Sequence, residues 1–279
     1  MSSVFPGAKD LSGLVFGFGA AWALAQRELV RFFRQRGRVM GAVGQPLIFW
    51  ILFGAGFQSS FRPPSAGEGA VSFGQYFYPG IITLVVLFTA IFATISVIQD
   101  RREGFMQGVL IAPVPRSMIA LGNVLGGTLI ALFQAWIFLL LAPLTGISLS
   151  LVMIVAASLY IVVLGIALTS LGLCLAWRSD SVQGFHAMMT LLLFPLWLLS
   201  GAFFPAEGAP LWLAWVIRLN PVSYGVAGLR RILDWGRPAS DTLATLPSLG
   251  LCVLVSVCFA AIMFWLATWT VSRVASKGA

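Results

Sequence analysis

Acidic residues are scarce in this chain. Asp and Glu together number 9 in 279 residues, and charged residues of either sign make up only 9%. A water-soluble domain carries about 25%, so this composition excludes one. His186 is the single histidine, and Lys9 and Lys277 are the only lysines. One imidazole and no HExxH pattern exclude a zinc protease. No lysine follows a glycine-rich loop, so a phosphate-binding P-loop is absent and the chain does not hydrolyse ATP itself. Cysteine is equally rare: Cys174, Cys252 and Cys258 all lie inside apolar runs. The last two fall on one helix, about 9 Å apart along its axis, too far to bridge. No structural disulfide is expected. The N-terminus, MSSVFPGAKD, has no basic run ahead of an apolar core, so no cleavable signal peptide is expected.

What is abundant is apolar surface. Hydrophobic residues reach 59%, mean hydropathy is +0.96 and net charge is +8. The chain reads as an all-α membrane protein with six transmembrane helices. Its basic residues flank the apolar runs, as an anionic inner leaflet selects, so nucleic acid is not an expected partner.

Residues 14–38 come first. Trp22, Ala25, Leu29, Phe32 and Phe33 share one helical face, while Arg27, Arg31, Arg34 and Arg38 line another. An apolar stripe beside a row of arginines predicts an amphipathic helix lying in the membrane interface. Glu28 beside that row is placed to pair locally or with a partner. The helix reads either as a plain lipid anchor or as part of a seat for a cytoplasmic subunit. Spans are predicted over 39–57, 78–98, 118–142, 151–177, 184–204 and 248–272. None of them holds an Asp, Glu, Lys or Arg, and His186 is the one imidazole, which argues against ion- or proton-coupled transport. Gly122, Gly126 and Gly127 in the third span have GxxxG spacing, read as ordinary packing within the bundle. Segment 205–247 holds an apolar piece too short to cross, then Asn220-Pro221 and a second short helix, and reads as a re-entrant outer segment.

Six spans put both termini on one side. All lysines and arginines fall on that side except Arg62, Arg218, Arg230, Arg231 and Arg237, so both termini are expected in the cytoplasm. Arg230 and Arg231 are then expected at the outer headgroup level.

The stretch 99–117, QDRREGFMQGVLIAPVPRS, joins the second and third spans. Asp100, Arg101, Arg102 and Glu103 cannot stay in hydrocarbon, so the segment sits at a membrane surface. Met106, Val109, Leu110 and Ile111 lie at roughly helical spacing behind the charges, and Pro113 and Pro115 stop the helix. This predicts one short stiff helix, with Asp100 as a candidate cap. Spacing alone fits an ordinary loop equally well.

Three stretches carry a family resemblance: RREGFMQGVLIAPVPRSMIALGNVLGG, FPLWLLSGAFFP at 194–205 and NPVSYGVAGLRRIL at 220–233. Together they resemble the permeases of the ABC transporter type 2 export family, over about 14–275. The resemblance implies a homodimer of permeases, each docking a separate ATP-binding subunit. It places the coupling helix at about 100–110, with Asp100, Arg101, Arg102, Glu103, Met106 and Leu110, aided by Arg27, Glu28, Arg31 and Arg34. It implies that spans two and five line the path and that 209–233 forms outer re-entrant helices. It also implies a cell inner membrane location, no cofactor in this chain, ATP and Mg on the partner, and export of a drug, lipid or polysaccharide cargo. A non-transport membrane scaffold or a membrane-bound enzyme is the alternative, and the missing acid–base constellation weighs against the enzyme.

Overall fold

The computed structural model describes residues 6–56, 73–112, 114–203, 210–235 and 246–277. The expected loop from 58, most of the polar tail after 234, and Pro113 lie outside the described residues. Everything described is helix or short connection. Helix α1 (Pro6–Arg34) stops at Gln35, and α2 (Arg36–Gly56) follows at once. Then come α3 (Phe73–Ala93), α4 (Ile95–Arg102), α5 (Phe105–Ile111), α6 (Arg116–Leu141), α7 (Leu151–Ala176) and α8 (Val182–Trp197). A single π-turn, Leu198–Ala202, ends α8. Two short helices, α9 (Leu211–Leu219) and α10 (Pro221–Leu233), precede the last, α11 (Leu249–Lys277).

Six segments are long and apolar enough to cross a membrane: Val39–Gly56, Phe73–Arg102, Arg116–Thr145, Leu151–Ala176, Val182–Ala202 and Leu249–Arg273. The second differs most from expectation. It starts at Phe73 rather than near 78, because Phe73 stacks on Phe77 (5.5 Å between centroids) and Tyr76 is buried. Its far end runs on through α4, so Asp100 lies buried in the last turn of a spanning segment. The expected span 78–98 stays free of Asp, Glu, Lys and Arg, and Asp100 lies just past it.

Helix α3 is the centre of the bundle, buried along nearly its whole length among α2, α6, α7 and α10. Glycines set how closely its neighbours approach. A Cβ at Gly172 of α7 would touch the α3 backbone at Ile91, and one at Gly127 of α6 would meet Thr169 of α7 at 2.5 Å. Polar groups inside the bundle pair where they can: Tyr78 donates to the Phe138 carbonyl, and Thr89 to the Gln134 side chain.

Helix α1 does not cross α6 but follows it. Gly17 lies by Met118, Ala21 by Gly122, Ala25 and Glu28 by Gly126, and Phe33 by Phe133. The GxxxG pair therefore seats the N-terminal helix. The predicted apolar stripe is split by this packing. Ala25 and Phe32 are buried, while Trp22 and Phe33 remain exposed beside Phe16, Phe18 and Val30.

At the opposite end, the π-turn frees backbone carbonyls that side chains then satisfy. Asn220 caps α10 by accepting from the Val222 N–H, and its amide donates to the Leu196 and Leu199 carbonyls. Gly201, at φ +75°, takes the left-handed conformation the turn needs. Arg230 is buried, donating to the carbonyls of Tyr76 and Gly201, with its guanidinium 4.0 Å from the Tyr76 ring centroid. Only Arg231 beside it is part-exposed, donating to the Leu246 and Pro247 carbonyls ahead of α11.

Candidate functional site

The chain between α3 and α6 forms two helices, not one. Helix α4 ends with the Glu103 N–H bonded to the Gln99 carbonyl, and Gly104 at φ +80° then reverses the backbone. A glycine just past a helix end is the ordinary device for such a reversal. Asp100 and both following arginines thus belong to the end of the second span. Helix α5 follows as a separate surface helix, with Arg102 and Glu103 exposed just ahead of it.

Asp100 does not cap a helix. It accepts Arg27 Nη1 at 2.6 Å and Nη2 at 2.7 Å, and Arg31 Nη1 at 2.9 Å. Arg31 also donates to the Gln99 side chain at 2.9 Å. Two turns of α1 are therefore clamped onto the last turn of α4. A carboxylate holding two guanidiniums is well satisfied, and both arginines keep part of their surface in contact with solvent. Glu28 is buried, and burial raises its carboxyl above the ordinary range while Ser96, Arg31 and Arg27 pull it back.

Arg101 and Arg102 turn the other way. Arg101 donates to the Trp177 and Ser179 carbonyls, and Arg102 to the Asp180 carbonyl through Nε and Nη2. They tie α4 to the turn between α7 and α8. Met106 is buried among Val97, Ile119, Val124, Leu173 and Trp177, which seats α5 on the bundle. Arg27 also lies over the Phe105 ring, 3.8 Å from its centroid. Four elements thus brace one short helix: α1, α4, α6 and the α7–α8 turn.

The structure brings Arg27, Arg31 and Asp100 together, with Glu28 alongside Arg27 at 3.4 Å. Arg34 stays apart and exposed at the end of α1, and the Leu110 side chain lies outside the described residues. The outward surface of α5 is made by residues that spacing had turned inward or passed over. Phe105 is 39% exposed, Ile111 is 85% exposed, and Gln107 and Gly108 lie open between them.

A family model described as ABC-2 type transporter matches residues 19–233, from within α1 to the end of α10. The chain belongs to this family. It is 29% identical over 224 residues to the putative transport permease ycf38 of Porphyra purpurea, covering 76% of this chain and 74% of that protein. Nodulation protein J of Rhizobium leguminosarum bv. trifolii is 27% identical over 224 residues, covering 79% and 82%. The probable multidrug ABC transporter permease YbhR of Escherichia coli (strain K12) is 26% identical over 153 residues, covering 52% and 40%. This ABC-2 chain is a multi-pass membrane protein and the membrane subunit of an ABC transporter. The braced helix α5 lies wholly inside the matched region.

Proposed function

We propose that this permease exports its cargo on work done by a separate, cytoplasmic ATP-binding subunit that docks on α5. The supporting observation is the contrast within the 99–117 segment. Arg101 and Met106 are turned to internal contacts and Arg102 is tied to the Asp180 carbonyl, while Phe105, Gln107 and Ile111 face outward from the helix. A surface fixed so firmly to α1, α4 and the α7–α8 turn carries a partner's displacement into the spans. Glu103, exposed beside α5, adds a charged edge to the contact, and the Arg27–Asp100–Arg31 clamp keeps α1 moving with it. Coupling then works by contacts that differ between two partner states.

In this reading α5, both termini and the α7–α8 turn lie in the cytoplasm of a cell inner membrane, with ATP and Mg on the partner. The exposed Phe16, Phe18, Trp22, Val30 and Phe33 give α1 an apolar outer surface for lipid where it follows α6, rather than a helix lying flat in the interface. Helices α9 and α10 form the outer re-entrant pair, with Trp212 and Trp215 exposed towards the interface. A second copy completes the path, along α3 and α8. The cargo is amphipathic, lipid-like, a drug or a polysaccharide.

The test is co-purification with a P-loop ATP-binding subunit co-expressed with this chain, followed by ATPase assays. Ile111→Asp should abolish co-purification and the permease's effect on hydrolysis while leaving the chain folded, because Ile111 makes no core contact. Unchanged assembly and hydrolysis would remove α5 as the docking element. Sidedness is read separately, in a cysteine-free background. Gln107→Cys should react only from the cytoplasm and Leu144→Cys, on the turn at the other end of α6, only from outside.

A further inference from the structure

A narrow cavity of about 380 Å³ opens beside the α1–α2 elbow, between α2, α3 and α8. That is within the roughly 300–1,000 Å³ of small-molecule sites. Its wall follows α3 and α4 from Leu84 to Gln99, a length of roughly 20 Å at helical rise. An elongated apolar recess of this kind accommodates a hydrocarbon chain along its length.

The lining changes along its length. Leu84, Val85, Phe88 and Pro46 form the deep part, while Gln35 and Gln99 stand towards the elbow and the α4 end, with His186 on the α8 side. Among the described residues, no Asp, Glu, Lys or Arg lines the cavity itself. A second, more open groove shares Gln35 and adds Arg27, Arg31, Arg34 and Glu103. Arg27 and Arg31 are already engaged by Asp100. Arg34 is exposed and makes no ion pair or hydrogen bond among the described residues. Glu103 is the one carboxylate on that groove's wall.

We propose that the elbow is a binding site for a single-chain amphiphile with an acidic head group. The chain lies along Phe88, Val85 and Leu84, and the head meets Arg34 beside Gln35. This names the cargo chemistry of the permease described above and rests on that reading only for calling the occupant cargo.

Binding is measured on the purified full chain in neutral detergent by native mass spectrometry, with no ATPase present. The probes are palmitoyl lysophosphatidate and palmitoyl lysophosphatidylcholine, which share a chain and differ in head group. The acidic probe should bind about tenfold more tightly, the scale of one charge-assisted hydrogen bond. Arg34→Gln should erase that preference. Gly41 lines the cavity, and a Cβ there meets nothing within 4 Å, so Gly41→Leu fills the recess without displacing backbone. It should weaken both probes about equally. Inorganic phosphate should not displace the acidic probe. Equal binding of the two probes, indifference to Gly41→Leu, or displacement by phosphate alone would each overturn the proposal. Absent binding in a chain that still assembles with its ATPase overturns this inference and leaves the permease reading standing. Binding in a chain that assembles with no ATPase does the reverse.

Discussion

Arg27 of α1 grips Asp100 of α4 through two parallel bonds, 2.6 and 2.7 Å, across 73 positions of sequence. The pair makes the N-terminal helix and the end of the second span one mechanical unit. Asp100→Asn keeps the shape and removes the charge that two guanidiniums share. Hydrogen bonds to charged groups contribute about 1.5–3 kcal/mol each. Side-chain exposure of 33% for Arg27 and 20% for Arg31 lets water replace part of the loss. The expected cost is about 2–3 kcal/mol, read as a lowered melting temperature in detergent. Arg27→Gln, which leaves Arg31 on Asp100, should cost clearly less.

Glu28 gives the fold a pH signature. Burial holds its carboxyl above the ordinary value of 4.5. A folded-state value above the unfolded one means the folded chain holds its proton more tightly. That contribution is complete below the unfolded value and is lost as pH rises through the folded value. Glu28→Gln lacks it. Melting temperatures compared from about pH 4 to about pH 8 should therefore show the variant gaining on the native chain as pH rises, then levelling. A difference that stays constant with pH contradicts the burial of this carboxylate.

Gly122 is where α1 and α6 nearly touch. A Cβ there would stand 2.7 Å from the Ala21 carbonyl oxygen and 2.9 Å from the Leu24 Cβ. Gly122→Ala must push the helices apart, at a cost of about 1–3 kcal/mol. Gly41→Ala, in open space on α2, should cost nothing and gain slightly from helix propensity. Matched thermal melts of the two variants separate a packing effect from a general intolerance of larger residues.

Arg230 joins α10 to both α3 and the π-turn through carbonyls on two different elements. Both bonds leave Nη2, while the flat guanidinium lies 4.0 Å from the Tyr76 ring centroid, a stacked placement that a lysine ammonium does not reproduce. Arg230→Lys should therefore behave nearly like Arg230→Met in stability, each lowering the melting temperature. Full rescue by lysine would show that charge alone matters there.

The six apolar segments could be read from sequence because hydrocarbon demands long runs without charge, and α3, α6, α7 and α11 obey that rule. The GxxxG spacing flagged close packing but not its partner, since small residues admit any helix. The second helical segment runs past both ends of its apolar run. Phe73 and Tyr76 lie outside that run yet aromatic packing buries them, and Asp100 is buried because Arg27 and Arg31 of a distant helix meet it. The break at Gly104 was signalled only by one glycine among charges. Phe105 and Ile111 were hidden by their own hydrophobicity, because periodicity assigns apolar residues inward and has no means of marking an apolar docking face. Arg230 needed the fold, as its acceptors are backbone carbonyls more than a hundred residues away or inside an irregular turn.

The central claim is that α5 is where a soluble ATPase takes hold of this permease. Gln107→Cys in a cysteine-free chain tests it most directly, since Gln107 faces solvent between Phe105 and Ile111. In membranes carrying both proteins, a short bifunctional reagent should join position 107 to the ATP-binding subunit, and the yield should change when nucleotide is added. A cross-link that never forms, while the same cysteine reacts freely with a soluble maleimide, would contradict the account.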